Sequence, residues 1–467
     1  MVKSALPDVD VTIQDGGLGL TGYSATGVHV KIGSCTAADP GQFFYLNKPV
    51  QVKEKLGAGP LANACLDSLP VQSIIAVVAA ASVAGSIGDI DHVGTGTATF
   101  AATGSPNNEY EIVIEIVKGG GLNEAQYVLS IDGGDNWLPP KTVPVNGAII
   151  ITGTGVTITF TAGEPAASSF VENDTYSFST TAPAMSNADF LAALEIVKDQ
   201  KFNYEFIHVV GESSAALWAV CATEADTLEQ EHVPTFFVLE ARNIAPGETV
   251  DQYVQALITE RASLASTRVA VVAGRLDVTS LDGLIRDTNG GGVYNGILSR
   301  SRVHESPGKV MSYRVSNAVG LKPKGLNDGH IKALDEVGYV TFRTYVGMPG
   351  IYVTNGRMMA PPGSDYEFVE TRRVADKATR LTRQAALFYV QSEGDEDGIA
   401  NLQGHMEAPL DGMKAPGVKE IMDYELIIDP EQDIITSKTL DVDLAIFPIP
   451  IMRWINIKLR MANPFRR

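Results

Sequence analysis

VQSIIAVVAAASVAG, Val71 to Gly85, is the longest apolar run of this chain. It is shorter than the roughly 18 apolar residues of a membrane-spanning helix, and it is rich in Ala and Val rather than Leu. It reads as a strand, Ser73 to Ala79, buried on both faces, because strands of doubly covered parallel sheets are nearly continuous apolar runs. Such a strand needs parallel neighbours and covering helices. No membrane insertion is expected, and the opening MVKSALPDVDVTIQDGG has no apolar core of the kind a secretory leader carries.

Upstream lie a short strand, Val28–Ile32, and two short helices, 50–56 and 61–69, parted by Gly57, Gly59 and Pro60. Downstream the composition changes near residue 88. Short β-rich runs follow, at 97–101, 110–117, 126–130, 148–152, 156–160 and 174–178, divided by Gly, Asn and Pro. This stretch holds eleven acids against Lys118 and Lys141 alone, so it reads as a solvent-facing all-β lobe. Strand–helix alternation resumes after Pro183: helix from Ser186 or Asn187 to Lys198, strand 204–210, helix 213–231, strand 235–241, helix 249–265, strand 268–273. That alternation implies a mostly parallel sheet with right-handed crossovers. The apolar strand at 73–79 belongs in the same sheet, with 88–185 inserted between.

Farther on, 280–330 has weak patterning. Strands are expected at 340–345, 350–354, 424–429 and 439–447, and a long amphipathic helix from Glu370 to Tyr389. The two ends alternate like strands. Val9, Val11 and Ile13 do so near the start. Ile451, Ile455, Ile457 and Leu459 do so near the end, against Met452, Trp454, Asn456, Lys458 and Arg460, with Arg453 as the one charge on the apolar side. Residues 451–467 carry five bases and no acid in a chain of net charge −19. The fold class is therefore an α/β core with a mostly parallel mixed sheet, an inserted small all-β domain, and extended N- and C-terminal β-strand arms. A strand-like arm with nothing of its own to pair with needs a sheet edge, in its own chain or another.

Signals for chemistry are weak. The acidic balance argues against direct nucleic-acid binding. Cys35, Cys65 and Cys221 form neither a disulfide framework nor a zinc pattern. The stretches GTGTATF at 94–100 and GTGVTITF at 153–160 lead into strands rather than helices, so they cradle no phosphate. Ser130 to Trp137, SIDGGDNW, resembles the Asp-box turn, with Asn136 where that motif has Thr; a structural turn is the simpler reading than a metal at Asp132 and Asp135. His208 sits in an apolar strand as a core histidine. Cys221 and His232 lack a third residue to orient them as a catalytic pair. No catalytic residue, cofactor or metal is assigned, and an α/β enzyme with unmarked carboxylates is the least favoured reading. The basic helix is more informative. Arg372, Arg373, Lys377, Arg380 and Arg383 stand against Asp376 alone, either as a solvated face or as a docking face for an acidic partner.

Taken in order, several stretches resemble the contractile tail sheath proteins of phages and related injection particles. They are GLGLTGYSATGVHVKIGSC with VQVKEKLGAGPLANACLDSL; NEYEIVIEIVKGGGLNEAQYVLSIDGGDNW with GTGVTITF and NDTYSFSTTAPAMSNADFLAAL; and LDEVGYVTFRTYVGMPGIYVTNGRMM with ETRRVADKATRLTRQAAL and LDVDLAIFPIPIMRWINIKLRMANPF. The resemblance implies a structural protein, not an enzyme. Subunits would stack as six-fold rings, or a six-start helix, around an inner tail tube, with sheath terminator and baseplate proteins at the ends. The sheath would shorten to drive the tube through a cell envelope. It implies a virion tail or injection particle assembled in a host bacterial cytoplasm. The implied parts are an N-terminal arm, 1–20; a core, 21–87 and 186–330; an outward β domain, 88–185; a tube-facing domain with the basic helix, 331–447; and a basic C-terminal arm, 448–467. Val9, Val11 and Ile13, and Ile451, Arg453, Trp454, Ile455, Ile457, Lys458, Leu459 and Arg460, would pair with neighbouring subunits. A baseplate or tail-associated ring protein is the alternative.

Overall fold

A computed structural model describes residues 25–71, 73–280, 283–429 and 431–461. The chain divides into two units, residues 1–210 and 211–467. The expected N-terminal arm, Val9, Val11 and Ile13, lies outside the described residues.

The first unit is built on β1 (His29–Gly33), β2 (Phe43–Leu46), α1 (Pro49–Leu56), α2 (Pro60–Ser68) and β3 (Ile74–Val78). Ile74, Ala76 and Val78 pack with Val52, Leu56 and Leu61 of the two helices, and the alternate Ile75 and Val77 are equally buried. Both faces of β3 are therefore covered, as its unbroken apolar sequence requires. Gly33 lets the layers close: a Cβ there would meet the Cβ atoms of Val210 and Leu61 at 3.1 and 3.2 Å.

From residue 91 to 179 the elements are strands apart from one short 3-10 turn: β4 (Asp91–Val93), β5 (Thr99–Gly104), β6 (Glu111–Lys118), β7 (Gln126–Ser130), β8 (Lys141–Thr142), β9 (Ala148–Ile151), β10 (Val156–Thr161) and β11 (Thr175–Ser179). They form two antiparallel sheets, β5-β10-β9 and β4-β11-β6-β7-β8. Inward residues such as Ile112, Ile114, Ile116, Ile158, Phe160 and Tyr176 make one core. The two chain crossings into this lobe run side by side: Val83 and Ala184 exchange backbone hydrogen bonds, and Ile87 bridges to Thr180.

Asp189 locks the return. Helix α3 (Asn187–Gln200) is capped by Ser186, whose hydroxyl accepts from the Asp189 amide, while the Asp189 carboxylate accepts from the Ser186 amide at 2.8 Å and from the Ser82 amide at 3.1 Å. Hydrogen bonds from Ser82 and then Ser186 hold this carboxyl down to about 2. The last strand, β12 (Phe206–Ser213), pairs parallel with β1, which pairs parallel with β3, and β2 closes the edge antiparallel to β3. Residues on either side of the β lobe thus share one mixed sheet.

In the second unit come α4 (Ala215–Gln230), β13 (Phe236–Ala241), α5 (Val250–Arg261) and β14 (Val269–Val272); β13 and β14 are parallel and fully buried. The weakly patterned stretch is ordered after all. Preceded by β15 (Arg275–Thr279), it holds β16 (Ile285–Asn289), α6 (Gly291–Arg300), β17 (Arg314–Val315), β18 (Ala318–Lys322) and the start of α7 (Asp328–Glu336). Then follow β19 (Phe342–Tyr345) and β20 (Met348–Val353), giving antiparallel sheets β16-β15-β18 and β17-β20-β19.

The end of the chain carries α8 (Val369–Ala386), α9 (Glu396–Lys414), β21 (Ile421–Ile427), the single turn α10 (Ile434–Ser437) and β22 (Asp443–Pro448). Val374, Ala378, Met406, Leu410, Met413, Ile421 and Leu426 pack the two long helices onto the β21–β22 hairpin. Among the described residues no helix is long and apolar enough to cross a membrane.

Candidate functional site

The cations of the basic helix α8, read from the sequence as either a solvated face or a docking face, do not share one environment. They divide by position. Arg372 and Arg373 are buried. Arg372 Nε donates to Asp376 Oδ1 at 3.0 Å, and Arg268 reaches the same carboxylate at 3.3 Å while its Nε donates to Glu229 at 2.8 Å. The Arg268 guanidinium, by hydrogen bond and by charge, holds the Glu229 carboxyl below its ordinary range. Arg373 donates to Ser301 Oγ at 2.8 Å. Lys377 donates to both oxygens of Glu420, at 2.8 and 2.6 Å. Arg380 is half-buried and donates to the Pro234 carbonyl. Arg383 alone of the five is exposed. Burial sets this division: a helix packed on two sides must pair the charges it encloses.

The second cluster is the root of the C-terminal segment. Arg453, expected in an intersubunit strand, makes contacts within its own chain. Its Nη1 donates to Asn355 Oδ1 at 2.9 Å, its Nη2 donates to Glu370 Oε1, and its guanidinium lies 3.3 Å from the Phe368 ring centroid. Asn355 is held in turn by its amide's donation to Asp335 at 2.9 Å. Glu370 is 4% exposed, and burial pushes its carboxyl up, opposed by the Arg453 charge. Pro448, Ile449, Pro450, Ile451 and Arg453 roof a cavity of about 210 Å³ over Glu370 and His304. Ile451 is therefore half-buried against its own domain as well.

Beyond Arg453 the chain changes character. Residues 454–461 adopt no secondary structure and are all exposed. Trp454, Ile455, Ile457, Leu459 and Met461 each expose at least 74% of their surface. The expected strand at 451–460 is not a strand within this chain, because no edge of its own chain meets it among the described residues. Within the same unit, β21–β22 is a sheet of two strands with neither outer edge paired among the described residues. One face packs on α8 and α9; the other exposes Met422, Ile427 and Phe447 beside Asp423, Glu425 and Asp443.

Other candidates resolve into structural roles. The carboxylate of Asp132 accepts from Ser130 Oγ at 2.7 Å and from the Asn136 amide at 2.9 Å; Asn136 Nδ2 adds a bond of 2.7 Å, so Asn serves this turn in place of Thr. Cys221 is buried and its thiol is pushed up by burial, which opposes thiolate formation. Among the described residues, no group of three or more His, Cys, Asp or Glu side chains is placed to hold a metal ion. Sequence reading missed Asn355, Phe368 and Glu370. The available signal was Arg453 itself, the lone charge on the apolar side of an alternating segment.

Comparison with known proteins gives a consistent result. A protein of Haemophilus phage HP1 (strain HP1c1), provisionally named as a tail sheath protein, is 28% identical over 190 residues, 38% of this chain and 48% of that protein. The match thus spans about half the length of that relative. A sheath tail protein from Listeria innocua superposes with a TM-score of 0.51 at 13% identity, over 91% of this chain and 93% of that one. The helical sheath of the anti-feeding prophage in its contracted state gives 0.55 at 11% identity, over 98% and 100%. The chain therefore has the mixed α/β fold of contractile tail sheaths. Residues 6–357 match the family described as DUF2586, N-terminal domain, and residues 365–466 match DUF2586, C-terminal domain. This chain belongs to the DUF2586 family.

Proposed function

We propose that this protein is a structural subunit of a contractile tail sheath, polymerising around an inner tube and shortening to drive that tube through a target cell envelope. One observation carries the reading. Residues 454–461 are exposed, without secondary structure and alternately apolar, while the hairpin β21–β22 of the same unit has strand edges left unpaired among the described residues. An added strand would satisfy backbone groups on both partners and bury the alternate apolar side chains. Charge supports the match: the segment carries Lys458 and Arg460, and the hairpin strands carry Glu425 and Asp443, beside Asp423 already paired with Lys414 at 2.7 Å, and no base of their own.

One edge of each hairpin is then occupied by the segment of a second copy, and a head-to-tail contact of this kind propagates from copy to copy rather than closing as a two-fold dimer. Six-fold stacking, an inner tube, terminator and baseplate partners, an outward β lobe at 88–185 and an N-terminal arm at 1–20 complete the proposal. Contraction would release free energy held in the extended assembly without nucleotide. Negative-stain microscopy of the overexpressed protein tests this: wide striated tubes are expected, and rings of fixed size would assign it to a baseplate instead. Truncation after Arg453 should leave folded, soluble subunits that no longer polymerise.

A further inference from the structure

Among the described residues, Arg453 is the last whose side chain is held by the rest of the chain, although Met452 before it is 84% exposed. Pro448 to Ile451 lie over the cavity, Arg453 is held by Asn355, Glu370 and Phe368, and Trp454 is exposed. The anchoring is costly to build. Glu370 is a buried carboxylate whose Oε2 has no hydrogen-bond partner, and its neighbour His304 Nδ1 is likewise unpartnered. Such a carboxylate is held in place by the cation it meets, and removal of that cation leaves a buried charge uncompensated. A planar guanidinium suits the position, because it bonds through its fork and stacks on the Phe368 ring at once; a lysine ammonium cannot do both.

We infer that Arg453 is a register pin: it fixes, on the donor's own domain, the point from which the following residues are measured out to a neighbouring copy. The inference rests on the strand-donation reading above and adds what sets its alignment. Residues 454–461, extended at ~3.3 Å per residue, reach about 26 Å from the pin. Side chains alternate with period two, so a shift of one residue exchanges Ile455, Ile457 and Leu459 for Trp454, Asn456 and Lys458 on the buried face. A segment that started freely from Pro448 could slide to correct such a shift. A pinned one cannot.

The test compares insertions in full-length chains, each tagged and mixed as a minority into untagged wild-type subunits, with incorporation into sedimented polymer as the readout. One alanine inserted between Arg453 and Trp454 should lower incorporation by about tenfold or more, equivalent to ~1.4 kcal/mol. The same insertion in R453A, or in E370Q, which retains the shape of the cavity wall, should lower incorporation less than about twofold relative to that parent variant, because the released segment takes up the slack. A single cooperative thermal transition, complete only well above the assay temperature, shows that each subunit is folded, with R453A expected to melt lower than its parent. Equal losses in pinned and unpinned backgrounds, or no loss in either, overturn the pin. Normal incorporation of a chain truncated after Arg453 overturns strand donation itself, so the two failures are distinguishable.

Discussion

Asp376 shows how one residue changes the meaning of its neighbours. Its carboxylate is 1% exposed and serves both Arg268 and Arg372. Asp376→Ala would leave Arg268 with Glu229 alone and Arg372 with Glu229 only at 3.9 Å, and we expect a loss of about 3 kcal/mol in urea unfolding. Arg383→Glu, one turn past the buried section and exposed, should change stability by less than about 0.5 kcal/mol. A comparable loss from both would mean that the network contributes nothing special. The spacing of Arg372 and Asp376 was visible in the sequence. Their enclosure was not, because charge periodicity reports which residues share a face and not what covers that face. Arg453 was marked by its misfit in the alternation, yet its partners Asn355, Phe368 and Glu370 come from other stretches and carry no local mark.

Elements were readable where one period dominated. Strands β1, β3 and β12 are buried apolar runs between turns, and the covering of both faces follows from that run alone. Helix α6 escaped notice because it begins Gly291-Gly292 and is buried on nearly every side, leaving no polar stripe to give a period. Helix α9 was hidden by Gly398, Gly404, Pro409 and Gly412. The central strands also carry a titratable burden. Lys31 Nζ lies 2.8 Å from His208 Nδ1, and His29 stacks on Phe206 with ring centroids 5.0 Å apart. With the lysine donating, His208 is neutral with its own proton on Nε2. Burial holds both histidines well below their ordinary pKa, with the Lys31 charge adding to it. The unfolded chain therefore binds more protons as the pH falls below about 6.5, and stability drops by up to ~1.4 kcal/mol per pH unit for each histidine. Urea midpoints should be flat from about pH 8 to about pH 7 for these groups and fall toward about pH 5. His208→Asn should make that fall shallower; an unchanged slope would show that the strands do not enclose neutral imidazole.

At the scale of the molecule, charge is distributed unevenly: a chain of net charge −19 ends in a basic segment and carries an acidic hairpin. Under the proposed strand donation, seating of one on the other between copies would weaken as salt screens it. The critical concentration for polymer formation, measured by sedimentation, should rise as ionic strength goes from about 0.05 to about 0.5 M, a range over which the Debye length falls severalfold. An unchanged or falling value would leave apolar burial as the sole attraction at that contact. Composition gave the sign of this imbalance, and the order of stretches along the chain gave the fold family; which strand edges stand open required coordinates.

The twin crossings at Val83–Ala184 and Ile87–Thr180 have a practical consequence. A lobe joined to its host through one zipped stem behaves as a cartridge. Its two ends are already presented side by side, so a foreign module with adjacent termini could replace residues 91–179 while the strands that precede and follow the stem keep their mutual register. In the proposed sheath, each copy would then display one such module at the stem.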